Sequence, residues 1–126
     1  MSVQHNKGNM GEHAVKQYLI KNGCCILAEN YRIKGGEIDL IASKGEEILF
    51  VEVKTRGIRG IETGYEAVNK RKMANIVRTA MRYCTENNTD LQPRFDVAVV
   101  CMEDRYAADI DYIENAFNLS DCDIIF

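Results

Sequence analysis

Two carboxylates and a lysine stand within two neighbouring apolar stretches of this chain. Residues 35–43 read Gly-Gly-Glu-Ile-Asp-Leu-Ile-Ala-Ser, and residues 48–56 read Ile-Leu-Phe-Val-Glu-Val-Lys-Thr-Arg. Asp39 lies inside the first apolar run; Glu52 and Lys54 lie late in the second. A buried charge is costly unless it is paired or bound to a metal. Two carboxylates at close range repel, and each tends to keep its proton. A hard divalent cation removes that conflict, and oxygen ligands suit magnesium.

Whether the three residues meet depends on the elements that carry them. Branched residues flank a polar break containing Gly45, the pattern of two strands joined by a hairpin. Alternation puts Leu49, Val51 and Val53 on one face of the second strand, with Ile48, Phe50, Glu52 and Lys54 on the other. Both faces begin apolar, so burial on both sides is expected. In the first strand, Glu37, Asp39 and Ile41 share a face, and Ile38, Leu40 and Ala42 share the other. A two-residue loop at Lys44-Gly45 sets Asp39 opposite Phe50 and Glu37 opposite Glu52. A four-residue loop from Lys44 to Glu47 sets Asp39 opposite Glu52. Either even loop gathers Asp39, Glu52 and Lys54 on one face; a one-residue slip would split them.

Helices are expected on both sides of the hairpin. Residues 9–22 carry the apolar stripe Ala14, Val15, Tyr18 and Leu19, ended by Gly23. Glu12 shares the stripe's side near the helix start. It either complements the helix N-terminus or reaches Asp39 and Glu52. Residues 24–33 read as a first strand, interrupted around Glu29-Asn30. Residues 56–64, with Arg56, Arg59 and three glycines, read as a mobile loop. Residues 65–86 form the main helix. Its stripe is Met73, Ile76, Val77, Ala80 and Cys84, with Arg71, Arg78 and Arg82 on another face and Lys70 and Lys72 flanking the stripe. Residues 95–102 are a continuous apolar run, placed by a right-handed crossover as a parallel, central strand. An edge strand over 109–113, a short helical end over 114–117 and a poorly ordered tail over 118–126 complete the expectation.

At 126 residues the chain is expected to be one domain spanning residues 1–126. No apolar run reaches membrane-span length, and the N-terminus lacks the apolar core of a signal peptide, so a cytoplasmic protein is expected. Five cysteines without a Cys-x-x-Cys spacing, most of them in apolar runs, read as buried free thiols, not a zinc or disulfide framework. The net charge of −3 argues against a general nucleic-acid binder, but its distribution is polarised. Bases prevail from Lys54 to Arg82, and acids from Asp96 onward.

Asp39 followed by Glu52-Val53-Lys54 resembles the active site of the PD-(D/E)xK nuclease superfamily, without the proline of the motif's name. Gly-Glu-Ile-Asp-Leu-Ile-Ala, Phe-Val-Glu-Val-Lys-Thr-Arg, Glu-Ala-Val-x-x-x-Lys, Arg-Phe-Asp-Val and Ile-Glu-Asn-Ala-Phe follow in that order. They resemble the bacterial YraN-like family across residues 9–117. The resemblance implies a fold similar to archaeal Holliday junction resolvases. That is an α/β, three-layer restriction-endonuclease-like core, a mixed β-sheet flanked by helices in the order αβββαβ. It implies a metal-dependent endonuclease hydrolysing phosphodiester bonds in DNA, branched or junction DNA included. Asp39, Glu52 and Lys54 would be catalytic. Mg²⁺ or Mn²⁺ would be held by Asp39 and Glu52, helped by the Val53 carbonyl and Glu12. Lys54 would orient the attacking water or stabilise charge on the phosphate. Arg56, Arg59, Lys70, Arg71, Lys72, Arg78 and Arg82 would contact nucleic acid. Junction resolvases of this shape work as pairs, which raises a homodimer. The alternatives are a nucleic-acid-binding module that kept the fold and lost catalysis, and a protein-interaction domain using the acidic C-terminal surface.

Overall fold

The hairpin closes on the smallest even turn. In the computed structural model, which describes residues 3–57, 70–103 and 106–118, β2 (Gly36–Lys44) pairs antiparallel with β3 (Glu47–Gly57). The pairing runs from Lys44↔Glu47 to Leu40↔Val51. The turn is Gly45-Glu46, with Gly45 at φ 59°. Glycine first with positive φ is what a type II′ turn asks for, and its twist suits the flanking strands. Carried one step further, this register sets Asp39 opposite Glu52. That facing was expected of a four-residue loop, and a two-residue turn one position later than Lys44-Gly45 achieves it.

The other elements are α1 (Val3–Lys21), β1 (Cys25–Ile33), α2 (Lys70–Glu86), β4 (Gln92–Glu103) and β5 (Tyr106–Phe117). The five strands make one sheet in the order β1-β2-β3-β4-β5. Only β3 and β4 run parallel, joined by the crossover that contains α2. Val15 and Leu19 of α1 pack on Leu40, Ala42, Leu49, Val51, Ala98 and Val100. Ile76, Val77 and Ala80 of α2 pack on Ile41, Ile48, Phe50, Phe95, Val97 and Val99. The central strands are thus covered on both faces, which is why they read as nearly unbroken apolar runs. The result is a three-layer α/β arrangement around a mixed sheet, consistent with a restriction-endonuclease-like core. Among the described residues no helix is long and apolar enough to cross a membrane.

Two expectations are overturned. Ile38 does not share a face with Leu40 and Ala42; it packs with Ile41 on the α2 side, while Leu40 and Ala42 face α1. The cause lies in the neighbouring strand. β1 pairs Glu29↔Leu40 and Tyr31↔Ile38, so Asn30 stands opposite Asp39, and Asn30 has φ 52°. One left-handed residue breaks the period-two alternation, and both strands turn over at that point. Secondly, residues 114–117 are not helical but the end of β5. Asn115, at φ 52°, allows a register shift that brings Phe117 opposite Phe95, with the rings stacked 5.2 Å apart. Burial of Phe117 outweighs the local helical pattern.

Asp96 is fully buried on the α1 side and fully engaged. Arg94 donates to both of its oxygens at 2.8–3.2 Å, Tyr112 donates at 2.6 Å, and the Asn115 N–H donates at 2.9 Å. Burial and this carboxylate push the Tyr112 phenol well above its usual range. Cys24, Cys25, Cys84 and Cys101 are free thiols; Cys24 is buried, as expected of all, but Cys84 and Cys101 are half-buried and Cys25, on the edge strand β1, is exposed. The expected loop after Gly57 with Arg59, the helix start over 65–69, Cys122 and the tail beyond Asn118 lie outside the described residues.

Gly36 starts β2 against α2. A Cβ there would collide with Thr79 Oγ1 and lie 3.2 Å from the Asn75 carbonyl. Thr79 is fully buried and donates its hydroxyl to that carbonyl at 2.6 Å, so it cannot swing aside. Gly36→Ala should cost about 1–3 kcal/mol as overpacking. A lower urea midpoint at unchanged slope is the expected result; an unchanged midpoint would show that β2 does not dock there.

Candidate active site

Backbone pairing between β2 and β3 gives way after Leu40↔Val51, and a side chain takes over. Asp39 Oδ2 accepts the Val53 N–H at 2.8 Å, where a strand carbonyl would otherwise stand. A strand residue presents its N–H and C=O to the same neighbour. The Val53 carbonyl therefore points toward the same opening between the strands. Glu52, one residue earlier, is buried on the α2 side, and the register sets it opposite Asp39, whose pKa it raises.

Two ammonium groups converge on Glu52 Oε2. Lys72 of α2 lies at 2.8 Å, and Lys54 lies at 3.8 Å. Lys54 follows Glu52 by two positions and shares its face. Lys72 comes from the first turn of α2, four and eight residues before Ile76 and Ala80, on the helix side that meets the sheet. Their Glu52 partner supplies the charge that makes two half-buried lysines tolerable.

These contacts set the protonation pattern. Burial pushes the Asp39 carboxyl up to about 8; the hydrogen bond to Glu52 and the Glu52 charge add to this, and the Val53 N–H opposes it. Glu52 is held below the usual carboxylate range. Burial alone would raise it, but the Asp39 hydrogen bond and the two lysines prevail. Lys54 is lowered by burial and by Lys72 beside it, whereas Lys72 is raised by Glu52 against its own burial. At neutral pH the two carboxyls hold one proton between them, as a coupled pair.

Glu12 is carried by α1, which packs on the other face of the sheet from α2. Its Oε1 is buried with no hydrogen-bond partner among the described residues, and burial, then Glu37, raises its pKa against a hydrogen bond with Asn30. Its charge reaches Asp39, but no cluster of three or more His, Cys, Asp or Glu that could hold a metal ion exists among the described residues. Arg56 is half-buried in β3, not in a loop. Lys70, Arg71, Arg78 and Arg82 are on the surface of α2; Arg78 donates to Asn75 at 2.8 Å, and Arg82 pairs with Glu86 at 3.1 Å. The partnership of Lys72 with Glu52 was not anticipated. Its spacing from Ile76 and Ala80 is the signal that would have found it.

The fold and this cluster define an α/β protein with a carboxylate pair, Glu52 buried and Asp39 half-buried, beside two lysines where the sheet's strands part. Known sequences place it more narrowly. The model of "Uncharacterised protein family UPF0102" matches residues 11–100, from α1 into β4. A UPF0102 protein of Clostridioides difficile (strain 630) is 43% identical over 114 residues, covering 88% of this chain and 96% of the relative. One from Alkaliphilus metalliredigens (strain QYMF) is 44% identical over 113 residues, with coverages of 87% and 96%. One from Synechococcus sp. (strain JA-3-3Ab) is 40% identical over 124 residues, with coverages of 90% and 92%. The chain belongs to the UPF0102 family, the YraN-like family that its motifs resemble.

The shared proton makes stability depend on pH with a definite sign. Asp39 is raised from 3.8 to about 8 on folding. The native state therefore binds more protons across that window, and this contribution is lost as pH rises through it. The lowered Glu52 contributes in the opposite sense, and only toward acid pH. Between about pH 5 and about pH 8 the parent should lose unfolding free energy relative to Asp39→Asn, which still accepts the Val53 N–H but does not titrate. Parallel profiles in urea unfolding would show that no proton is held at the pair.

Proposed function

We propose that this chain is a metal-dependent nuclease of the PD-(D/E)xK superfamily, hydrolysing phosphodiester bonds in DNA. The observation that carries the proposal is the register that sets Asp39 opposite the buried Glu52, with Lys54 on the same oxygen of Glu52 as Lys72, at the point where β2 and β3 separate. The donor set fits a hard cation. It is all oxygen, from two carboxyls and the adjacent Val53 carbonyl. Mg²⁺ typically takes one or two carboxylates, with water and substrate phosphate completing its shell, so Glu12 is not needed as a ligand. Mg²⁺ or Mn²⁺ would polarise the scissile phosphate and lower the pKa of a bound water.

The chain's own residues do the rest. Asp39 would lose its proton on holding a cation, and the Val53 N–H keeps its carboxylate aimed. Lys54 is tethered to the strand that carries Glu52. It orients the attacking water or holds charge on the phosphate, in a half-buried position that strengthens its field. Arg71 and Arg78, exposed on α2, would meet the phosphate backbone beyond the site.

A labelled panel of linear, flapped and four-way DNAs with Mg²⁺, Mn²⁺ or EDTA tests the activity. Cleavage should require the metal. By calorimetry, Asp39→Ala and Glu52→Ala should each weaken Mn²⁺ binding strongly. Lys54→Ala should retain Mn²⁺ binding and lose on the order of 10²–10⁴ in cleavage rate. A parent protein that binds these DNAs and cleaves none with either metal is a binding module, and the nuclease proposal falls.

The DNA path has its own check. Arg71→Gln and Arg78→Gln should each lower the slope of log affinity against log salt by about 0.9 per lost phosphate contact. Arg82→Gln should change it less, because Glu86 already neutralises Arg82. An unaltered slope in the Arg71/Arg78 double variant would take the DNA off this helix.

A further inference from the structure

We infer that Lys72 is a displaceable counter-cation. It holds Glu52 while the carboxylate pair is without a metal, and a divalent cation releases it to a phosphate of the nucleic acid. Metal and nucleic acid would then bind cooperatively through one side chain. The inference rests on the nuclease reading above and adds a role for a residue outside its motif.

The geometry distinguishes the two lysines. Lys72 makes the short contact, 2.8 Å against 3.8 Å for Lys54, and both address the same oxygen, Glu52 Oε2. The Glu52 side chain is only 8% exposed, so its charge has few other sources of compensation. A cation entering between Asp39 and Glu52 brings two further positive charges to a carboxylate already facing two ammoniums. One ammonium must leave, because like charges at this range in a half-buried site repel strongly. Lys54 is held by the strand it shares with Glu52. Lys72 hangs from a separate element and is the more exposed, 39% against 22%, so it has room to turn outward. Its neighbours Lys70 and Arg71 are already at the surface. An ammonium turned out beside them joins a cationic edge, and a phosphate oxygen offers the charge-assisted bond that Glu52 gave up.

The test compares Mn²⁺ binding by calorimetry in the parent, Lys72→Gln, Lys72→Met (which keeps the apolar stem) and Lys72→Arg. Removing the competing charge should tighten Mn²⁺ binding about tenfold in the Gln and Met variants, while Lys72→Arg keeps the parent affinity. DNA affinity is then measured by anisotropy in a Lys54→Ala background, where cleavage is suppressed, with and without Mn²⁺. Mn²⁺ should tighten DNA binding in Lys54→Ala, and the tightening should shrink severalfold when Lys72→Gln is added. Unchanged or weaker Mn²⁺ binding in both Lys72→Gln and Lys72→Met, or equal coupling in the two backgrounds, overturns the inference. Asp39→Asn in the same calorimeter separates the failures. If it loses Mn²⁺ while the Lys72 variants match the parent, only the role of Lys72 is wrong. If it too matches the parent, the metal site and the inference fall together.

Discussion

The bond from the Val53 N–H to Asp39 is the contact on which the rest of the site depends. A sheet that simply continued its ladder would bury Val53 against a β2 carbonyl and leave no opening. Because a carboxylate accepts that N–H, the two strands part while the Val53 donor stays paired. The same carboxylate is then held within reach of Glu52, in surroundings dry enough that the two cannot both ionise at neutral pH. Separation of the strands, the shared proton and the convergence of two lysines follow from one side chain replacing one backbone acceptor.

Most of the architecture is legible in the residues themselves. The period-two alternation of Ile48 to Val53, the apolar stripes of both helices and the unbroken run after Asp96 specify a sheet covered on both faces, with a crossover between β3 and β4. The hairpin register was narrowed to two choices by parity alone; Gly45, with its positive φ, decides where the turn falls. What could not be read were effects imposed across the sheet. Nothing near Ile38 in the chain says that it will face α2. That follows from Asn30 in the neighbouring strand. Nor does Glu114-Asn115-Ala116-Phe117 announce a strand, since its fate depends on Phe95 being open to stacking.

The site divides along the same line. Asp39, Glu52 and Lys54 are close in sequence because a hairpin and an alternation gather them, and local spacing is enough to place them together. Lys72 is brought to Glu52 only by the packing of α2, a tertiary event, and its charge suggested a surface role. The position of Glu12 on a helix stripe suggests a shared cluster, and although α1 covers the face of the sheet opposite α2, the charge of Glu12 acts on Asp39. Asp96 is a third kind of buried carboxylate. Arg94, Tyr112 and the Asn115 N–H occupy it so fully that it serves the packing of β4 and β5 and has no capacity left for a ligand.

The left-handed asparagines bear on the molecule's behaviour in a crowded solution. β1 and β5 are the two rims of the sheet. The pairing of β1 carries one register shift and that of β5 two, and each strand has one asparagine of positive φ, Asn30 in β1 and Asn115 in β5. A flat rim with free N–H and C=O groups invites another chain to add itself as an extra strand, the first step of aggregation. Here both rims are kinked, and β1 also carries the exposed charges of Glu29 and Arg32. A strand laid along either one would lose register part-way. The residue that turns β2 over at Asp39 therefore also spoils β1 as a template for unwanted strand addition.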